Sequence, residues 1–155
     1  FNMYALYIFG DIVDAKLGIK GFLIIYFGSL LAGSLYSLSY HKKEPHYSAV
    51  GASGAVSGVV YSCIMLYPDM QLGLILIPIP IPGYIFGVAY LLYSIYGMKN
   101  RVGNIGHSAH LGGAIGGFAF TLLLYPQIFQ ENLLMISVLS IPILILLLFG
   151  KKLNV

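Results

Sequence analysis

Long apolar runs separated by short polar stretches dominate this chain. Residues 1–12 are apolar and lead into GDIVDAKLG (10–18), which we interpret as a polar turn. Residues 19–40 form a second apolar run, and this run is long enough to cross a bilayer, since a membrane helix needs about 20 apolar residues. Within it, Ser29 and Gly33 lie four positions apart, a spacing that lets another helix backbone approach closely.

The remaining pattern predicts further helices joined by loops. HKKEPHYS (41–48) is the most polar stretch and predicts a loop in water or headgroups, with His41 and His46 solvated. Prolines 78, 80 and 82 remove backbone donors and disfavour helix in the residues before them, so LGLILIPIPIPG predicts an extended connector. The predicted helices cover about 53–67, 82–96 and 109–125, and a last apolar run covers 133–149 with Pro142 in its middle.

Composition agrees with lipid as the solvent of the fold. Hydrophobic residues make up 59% of the 155 residues and charged residues 8%, whereas soluble domains carry about 25% charged residues. The 13 Tyr and 9 Phe can anchor helices at membrane interfaces. We therefore predict an all-α polytopic membrane protein with about five to six membrane helices, embedded in a lipid bilayer.

Charge and cysteine content exclude some partners and crosslinks. The net charge is +3, and the eight Lys and Arg residues form no long basic run, so we expect no nucleic acid partner. Cys63 is the single cysteine, which excludes an internal disulfide.

Ser53 is the first residue with candidate chemistry. It lies in Gly51-Ala52-Ser53-Gly54, at the predicted start of a helix. Small neighbours leave room for a substrate carbonyl at its hydroxyl, and they let backbone N–H groups point at a developing oxyanion. The alternative is that Ser53 serves only in close helix packing, as serines among glycines in membrane helices usually do.

His110 is the second candidate, within GHSAHLGG (106–113) and at the head of the helix predicted from about residue 109. An ionisable residue in a membrane segment is by default a functional-site hypothesis. The alternatives are a histidine that hydrogen-bonds to a loop carbonyl, or a metal ligand together with His107. No carboxylate or cysteine lies nearby to complete a metal site, so we expect no bound metal.

Glycine spacing suggests that these two helix heads meet. Gly54 and Gly58 lie four apart on one helix, and Gly112/Gly116 and Gly113/Gly117 do so on the other. Two helices with such faces can pack at short distance. The packing would bring a hydroxyl within reach of an imidazole, the nucleophile–base pair of serine hydrolases.

Three segments together resemble the rhomboid family of intramembrane serine proteases. GASG (51–54) is similar to the family's nucleophile motif, and GHSAHLGG (106–113) to its catalytic histidine helix. FNMYALYIFGDIVDAKLG (1–18) resembles the helix that carries an oxyanion-binding asparagine, which matches Asn2. The order of these segments also agrees, and the resemblance covers residues 1 to about 125.

The resemblance implies a serine endopeptidase that cleaves transmembrane segments of other membrane proteins. Ser53 would be the nucleophile and His110 the base, while the Ser53 N–H and the Asn2 side chain would stabilise the oxyanion. No metal or cofactor is expected. The family commonly has an aromatic residue four positions after the nucleophile, beneath the catalytic imidazole, but this chain has Ser57 there and Tyr61 one turn deeper.

The resemblance also frames our remaining expectations. We expect a catalytic membrane domain over 1–128, incomplete at its N-terminus because the chain starts at Phe1, and an added hydrophobic helix and tail over 129–155. We predict a bacterial inner membrane as the location, although the distribution of Lys and Arg conflicts with the family's orientation. Two other classes stay open: a catalytically inactive relative that binds membrane helices, and a small transporter with broken helices.

Overall fold

A computed structural model describes residues 1–74 and 77–153. Helices form most of this part of the chain, and two short strands form one antiparallel hairpin. The elements are α1 (Asn2–Tyr40), α2 (Ser53–Leu66), β1 (Gln71–Leu74), β2 (Ile77–Pro82), α3 (Gly83–Asn100), α4 (His107–Leu124), α5 (Ile128–Glu131) and α6 (Leu133–Leu153).

Helix α1 shows that the predicted polar turn at 10–18 is wrong over residues 10–17, whereas the break between the two apolar runs does fall at its last residue, Gly18. Helical backbone continues through this stretch and breaks only at Gly18, where φ is 71° and ψ is 167°. Asp11, Asp14 and Lys16 lie on the exposed side of the helix, whereas Val13 is buried. Polar residues thus occupy the outer face without ending the helix, and the break falls where glycine tolerates a positive φ.

The proline-rich segment is extended, as predicted, but it is also paired. β2 lies antiparallel to β1, with Leu72 opposite Ile81 and Gly73 opposite Pro80. Both strands of a two-stranded sheet are edge strands, so the missing donors of the prolines can be tolerated there. The pairing was not predicted from the sequence.

Three helices run longer than the sequence pattern indicated. α3 continues beyond residue 96 to Asn100 and ends at Arg101, which adopts the left-handed conformation with φ of 52°. α4 begins at His107, before the predicted start at 109. α6 continues through Pro142 and reaches Leu153.

The centre of the fold is the packing of α1, α2 and α4 through small residues. A Cβ atom added to Gly33 would lie 2.6 Å from the carbonyl oxygen of Ala109, and one added to Gly58 would lie 2.8 Å from that of Gly113. The Ser29 side chain also lies directly against Gly58. The predicted small faces of these helices are therefore confirmed as close contacts.

One described helix, α1, is long and apolar enough to cross a membrane by length and composition. α2 and the Leu133–Leu146 part of α6 are apolar but shorter. The helical architecture fits a membrane protein, and the figure of five to six membrane helices stays a prediction.

A chain of polar side chains joins the end of α1 to the head of α4. Ser108 Oγ lies 2.9 Å from Ser37 Oγ and 3.2 Å from His41 Nε2. His41 Nδ1 lies 3.2 Å from a Glu44 carboxylate oxygen, and Arg101 donates to the other oxygen at 3.1 Å. The prediction that His41 is solvated is wrong, because its side chain is only 15% exposed and bonded at both ring nitrogens.

We expect Gly58→Ala to destabilise the fold by about 1–3 kcal/mol, because the new methyl group would overlap Ser29 and the Gly113 carbonyl. Unfolding of the purified protein in detergent measures this. Gly73→Ala is the control, since a Cβ there meets no atom within 4 Å. Equal stability of Gly58→Ala and the parent would contradict this packing.

The hydrogen-bonded side chains between α1 and α4 differ in burial, so we expect substitutions among them to differ in their effect on stability. Ser108→Ala leaves Ser37 and the His41 ring without a shared partner, so we expect a loss of about 1–3 kcal/mol. Arg101→Gln removes an ion pair whose Arg side chain is 82% exposed, so we expect a loss of about 0–1 kcal/mol. Detergent unfolding of both variants tests this, and a larger loss in Arg101→Gln would contradict it.

Candidate active site

Ser53 is the first residue of α2 and is half-buried. The chain enters the helix through Gly51, whose φ of 144° is readily available only to glycine. The first backbone N–H groups of a helix have no partner within the helix. The head of α2 therefore offers a hydroxyl and free backbone donors at the same place.

His110 lies in the first turn of α4 and is half-buried. Its ring lies nearly parallel to that of Tyr90, with 6.2 Å between centroids and 18° between planes, and edge-on to His107 at 6.4 Å. No hydrogen bond is made by either ring nitrogen of His110 within the described residues. The alternative of a histidine bound to a loop carbonyl applies instead to His107, whose Nε2 donates to Val102 O at 3.0 Å.

The two helix heads are in direct contact. A Cβ atom added to Gly54, next to Ser53, would lie 3.0 Å from the carbonyl oxygen of Ala109, next to His110. One turn further along α4, Gly113 packs against the Gly54 carbonyl. The structure thus brings the neighbourhoods of both predicted residues together, as the glycine spacing indicated. A Ser53–His110 hydrogen bond is not formed in this part of the chain.

Asn2 begins α1 and is half-buried. Further along the same helix, Val13 and Ile25 pack with Val59 and Cys63 of α2, so the two helices are neighbours. Hydrogen bonds among the described residues do not include the Asn2 side chain. Its oxyanion role stays a prediction.

Ser57 and Tyr90, neither of which was predicted as a site residue, lie next to Ser53 and His110. Ser57 Oγ donates to the Ser53 carbonyl oxygen at 2.8 Å and lies 2.6 Å from the Tyr90 hydroxyl. Tyr90 comes from α3 and stacks on His110. The one sequence signal was Ser57 itself, which stands where the resemblance implies an aromatic residue.

The described residues contain no group of three or more His, Cys, Asp or Glu side chains placed to hold a metal ion. The chemistry that the arrangement can support is that of a hydroxyl, an imidazole and backbone donors at two adjoining helix heads.

The chain is similar to characterised proteins over most of its length. The family profile described as "Rhomboid domain" matches residues 1–127. "Rhomboid protein 1, mitochondrial" of Saccharomyces cerevisiae is 34% identical, in a match that covers 77% of this chain and 35% of the yeast protein. "RHOMBOID-like protein 12, mitochondrial" of Arabidopsis thaliana is 31% identical over 73% of this chain and 38% of that protein. "Rhomboid protease GluP" of Bacillus subtilis is 32% identical, in a match that covers 76% of this chain and 21% of that protein. No solved structure matches significantly.

These relatives bear on location and family. The chain spans little more than a third of the length of the yeast and plant relatives. Two of the three are mitochondrial by name, so the prediction of a bacterial inner membrane is not supported. With a family profile that matches residues 1–127, this chain belongs to the rhomboid family.

Proposed function

We propose that this chain carries the active site of an intramembrane serine endopeptidase, with Ser53 as nucleophile and His110 as general base. The observation that carries the proposal is the contact between the heads of α2 and α4, where Gly54 packs against Ala109 and Gly113. This contact holds the segment that bears the hydroxyl beside the segment that bears the imidazole. The rhomboid family membership supports the same chemistry.

The reaction proceeds through an acyl-enzyme. Ser53 Oγ attacks the scissile carbonyl carbon while His110 accepts the hydroxyl proton. The resulting oxyanion accepts hydrogen bonds from the Ser53 N–H and the Asn2 amide. His110 then gives its proton to the leaving amine as the C–N bond breaks. A water molecule next attacks the Ser53 ester while His110 accepts its proton, and His110 returns that proton to Ser53 Oγ as the ester C–O bond breaks.

The missing Ser53–His110 hydrogen bond is compatible with this role. Catalytic hydrogen bonds are often long or poorly aligned without substrate and shorten in the complex. Water can reach the site from the polar loop at 42–50, whose residues are exposed and precede Ser53 in the chain.

The substrates we propose are transmembrane segments of other proteins, which reach the site within the lipid bilayer. A helical backbone shields its carbonyls in hydrogen bonds, so a substrate must unwind locally before Ser53 can attack. Helix-weakening residues near the cleaved bond would make this easier.

We also propose that residues 1–128 form the catalytic membrane domain and that 129–155 form an added helix and tail. α6 packs on α3 through Leu139, which lies against Gly87. α6 contributes neither Ser53 nor His110.

The alternative within the same family is an inactive protein that binds membrane helices without cleaving them. Such a protein needs no serine and histidine at adjoining helix heads, and this chain has both. The geometry and the residue types together favour the enzyme.

Labelling of the full-length gene product in detergent by a fluorophosphonate or isocoumarin probe tests the dyad. We expect the parent to be labelled, and both Ser53→Ala and His110→Ala to lose labelling. In a serine protease, removing either the nucleophile or the base lowers kcat by about 10⁶-fold.

Matched controls are Ser137→Ala on α6 and His46→Ala in the loop before α2, which change exposed residues of the same types. Both should be labelled like the parent. A folded parent that resists labelling, or labelling that survives in Ser53→Ala, would contradict the proposed function.

A further inference from the structure

Tyr90 links the two proposed catalytic residues, although it belongs to neither of their helices. It lies in α3, and its hydroxyl is 2.6 Å from Ser57 Oγ. Ser57 has a single hydroxyl proton and donates it to the Ser53 carbonyl oxygen at 2.8 Å. The Tyr90 hydroxyl must therefore be the donor in its bond to Ser57. This orders a chain of hydrogen bonds from Tyr90 to the backbone of Ser53.

The ring of Tyr90 makes a second contact, with the ring of His110. The two rings are 18° from parallel with centroids 6.2 Å apart, a stacked arrangement. His110 makes no hydrogen bond in the described residues, so ring contacts with Tyr90 and His107 are what restrict the rotation of its imidazole. A general base must be held in a defined orientation, usually by a third group.

The position of the Tyr90 ring is itself well determined. Its hydroxyl is held by Ser57, and Phe86, one turn earlier in α3, stacks on it with 6.0 Å between centroids and 20° between planes. Tyr61, which lies one turn after Ser57 on α2, packs its ring against that of Tyr90 with 6.1 Å between the centroids. The ring is thus fixed from three sides while its remaining face is available to His110.

We propose that Tyr90 is a positioning residue for His110, and that it supplies from α3 the aromatic contact that Ser57 cannot supply from α2. Serine at position 57 is part of this arrangement, because its hydroxyl accepts a hydrogen bond from Tyr90 and its small side chain leaves room for the Tyr90 ring. The orientation of the base then depends on where α3 lies against α2 and α4. This inference rests on the proposed function of Ser53 and His110.

The test distinguishes the contribution of the Tyr90 ring from that of its hydroxyl. Tyr90→Phe keeps the stacking and loses the bond to Ser57, whereas Tyr90→Leu loses both. We expect Tyr90→Leu to lower the maximal rate of probe labelling by about 10- to 100-fold with little change in probe affinity, because a misplaced catalytic group can cost about 100-fold in rate. Tyr90→Phe should stay within about threefold of the parent, because Phe86 and Tyr61 still hold its ring where it can stack on His110.

Tyr96→Leu is the matched control, since Tyr96 lies on the same helix with its side chain 58% exposed. It should be labelled like the parent. Labelling of Tyr90→Leu at the parent rate would overturn the role of Tyr90, as would an equal loss in Tyr90→Phe and Tyr90→Leu. A parent that is not labelled contradicts the proposed function itself, and with it the role of Tyr90.

A second measurement keeps the proposal testable if Tyr90→Leu does not fold. In the parent protein with selectively labelled Tyr and His, we expect magnetisation transfer between the ring protons of Tyr90 and His110, assigned with the Tyr90→Phe and His110→Ala variants. Ring protons that show no such transfer in the folded parent would overturn the stacking, and with it the proposal.

Discussion

The close approach of α2 to α4 is the contact on which the rest of this structure depends. Gly54 and Gly58 on one helix lie against Gly113 and Gly117 on the other, so backbone touches backbone. In lipid no hydrophobic effect drives helices together, and dispersion contacts between closely packed backbones must hold them. A side chain at any of these four positions would push the two helices apart and separate the groups at their heads.

The contact between α2 and α4 also determines where α1 can pack. With α2 and α4 already touching, a third helix can join only where its own surface is flat. Ser29 and Gly33 provide such a surface, against Gly58 and the Ala109 carbonyl respectively. The helix heads are consequently held from two directions, which suits the proposed dyad of Ser53 and His110.

Two sets of polar side chains in this bundle pair with one another, as suits surroundings in which lipid offers no partners, whereas the buried hydroxyls of Ser29, Ser62 and Ser94 have no partner among the described residues. Ser57 and Tyr90 satisfy each other beneath the helix heads, and Ser37, Ser108 and His41 do so at the junction of α1 and α4. Each of these links joins two different helices. Polar pairing and close packing thus act on the same interfaces, and both restrict the positions of residues next to the proposed dyad.

The sequence by itself determined where the main helices lie, though not where each one ends, together with their small faces and the placement of Ser53 and His110 at two helix heads. These follow from local spacing, because residues four apart share a helix face wherever the helix packs. The sequence misjudged the polar stretch at 10–18, since polar residues are equally compatible with a turn and with the exposed face of a helix.

Only the tertiary structure decided which side chains meet across the bundle. His41 contacts Ser108 from 67 positions away, and Tyr90 contacts Ser57 from 33 positions away. No local pattern encodes such pairs, because a polar or aromatic residue on a helix has many possible partners until the helices are packed. The contact between Tyr90 and His110 arises in this way, from the position of α3 against α2 and α4.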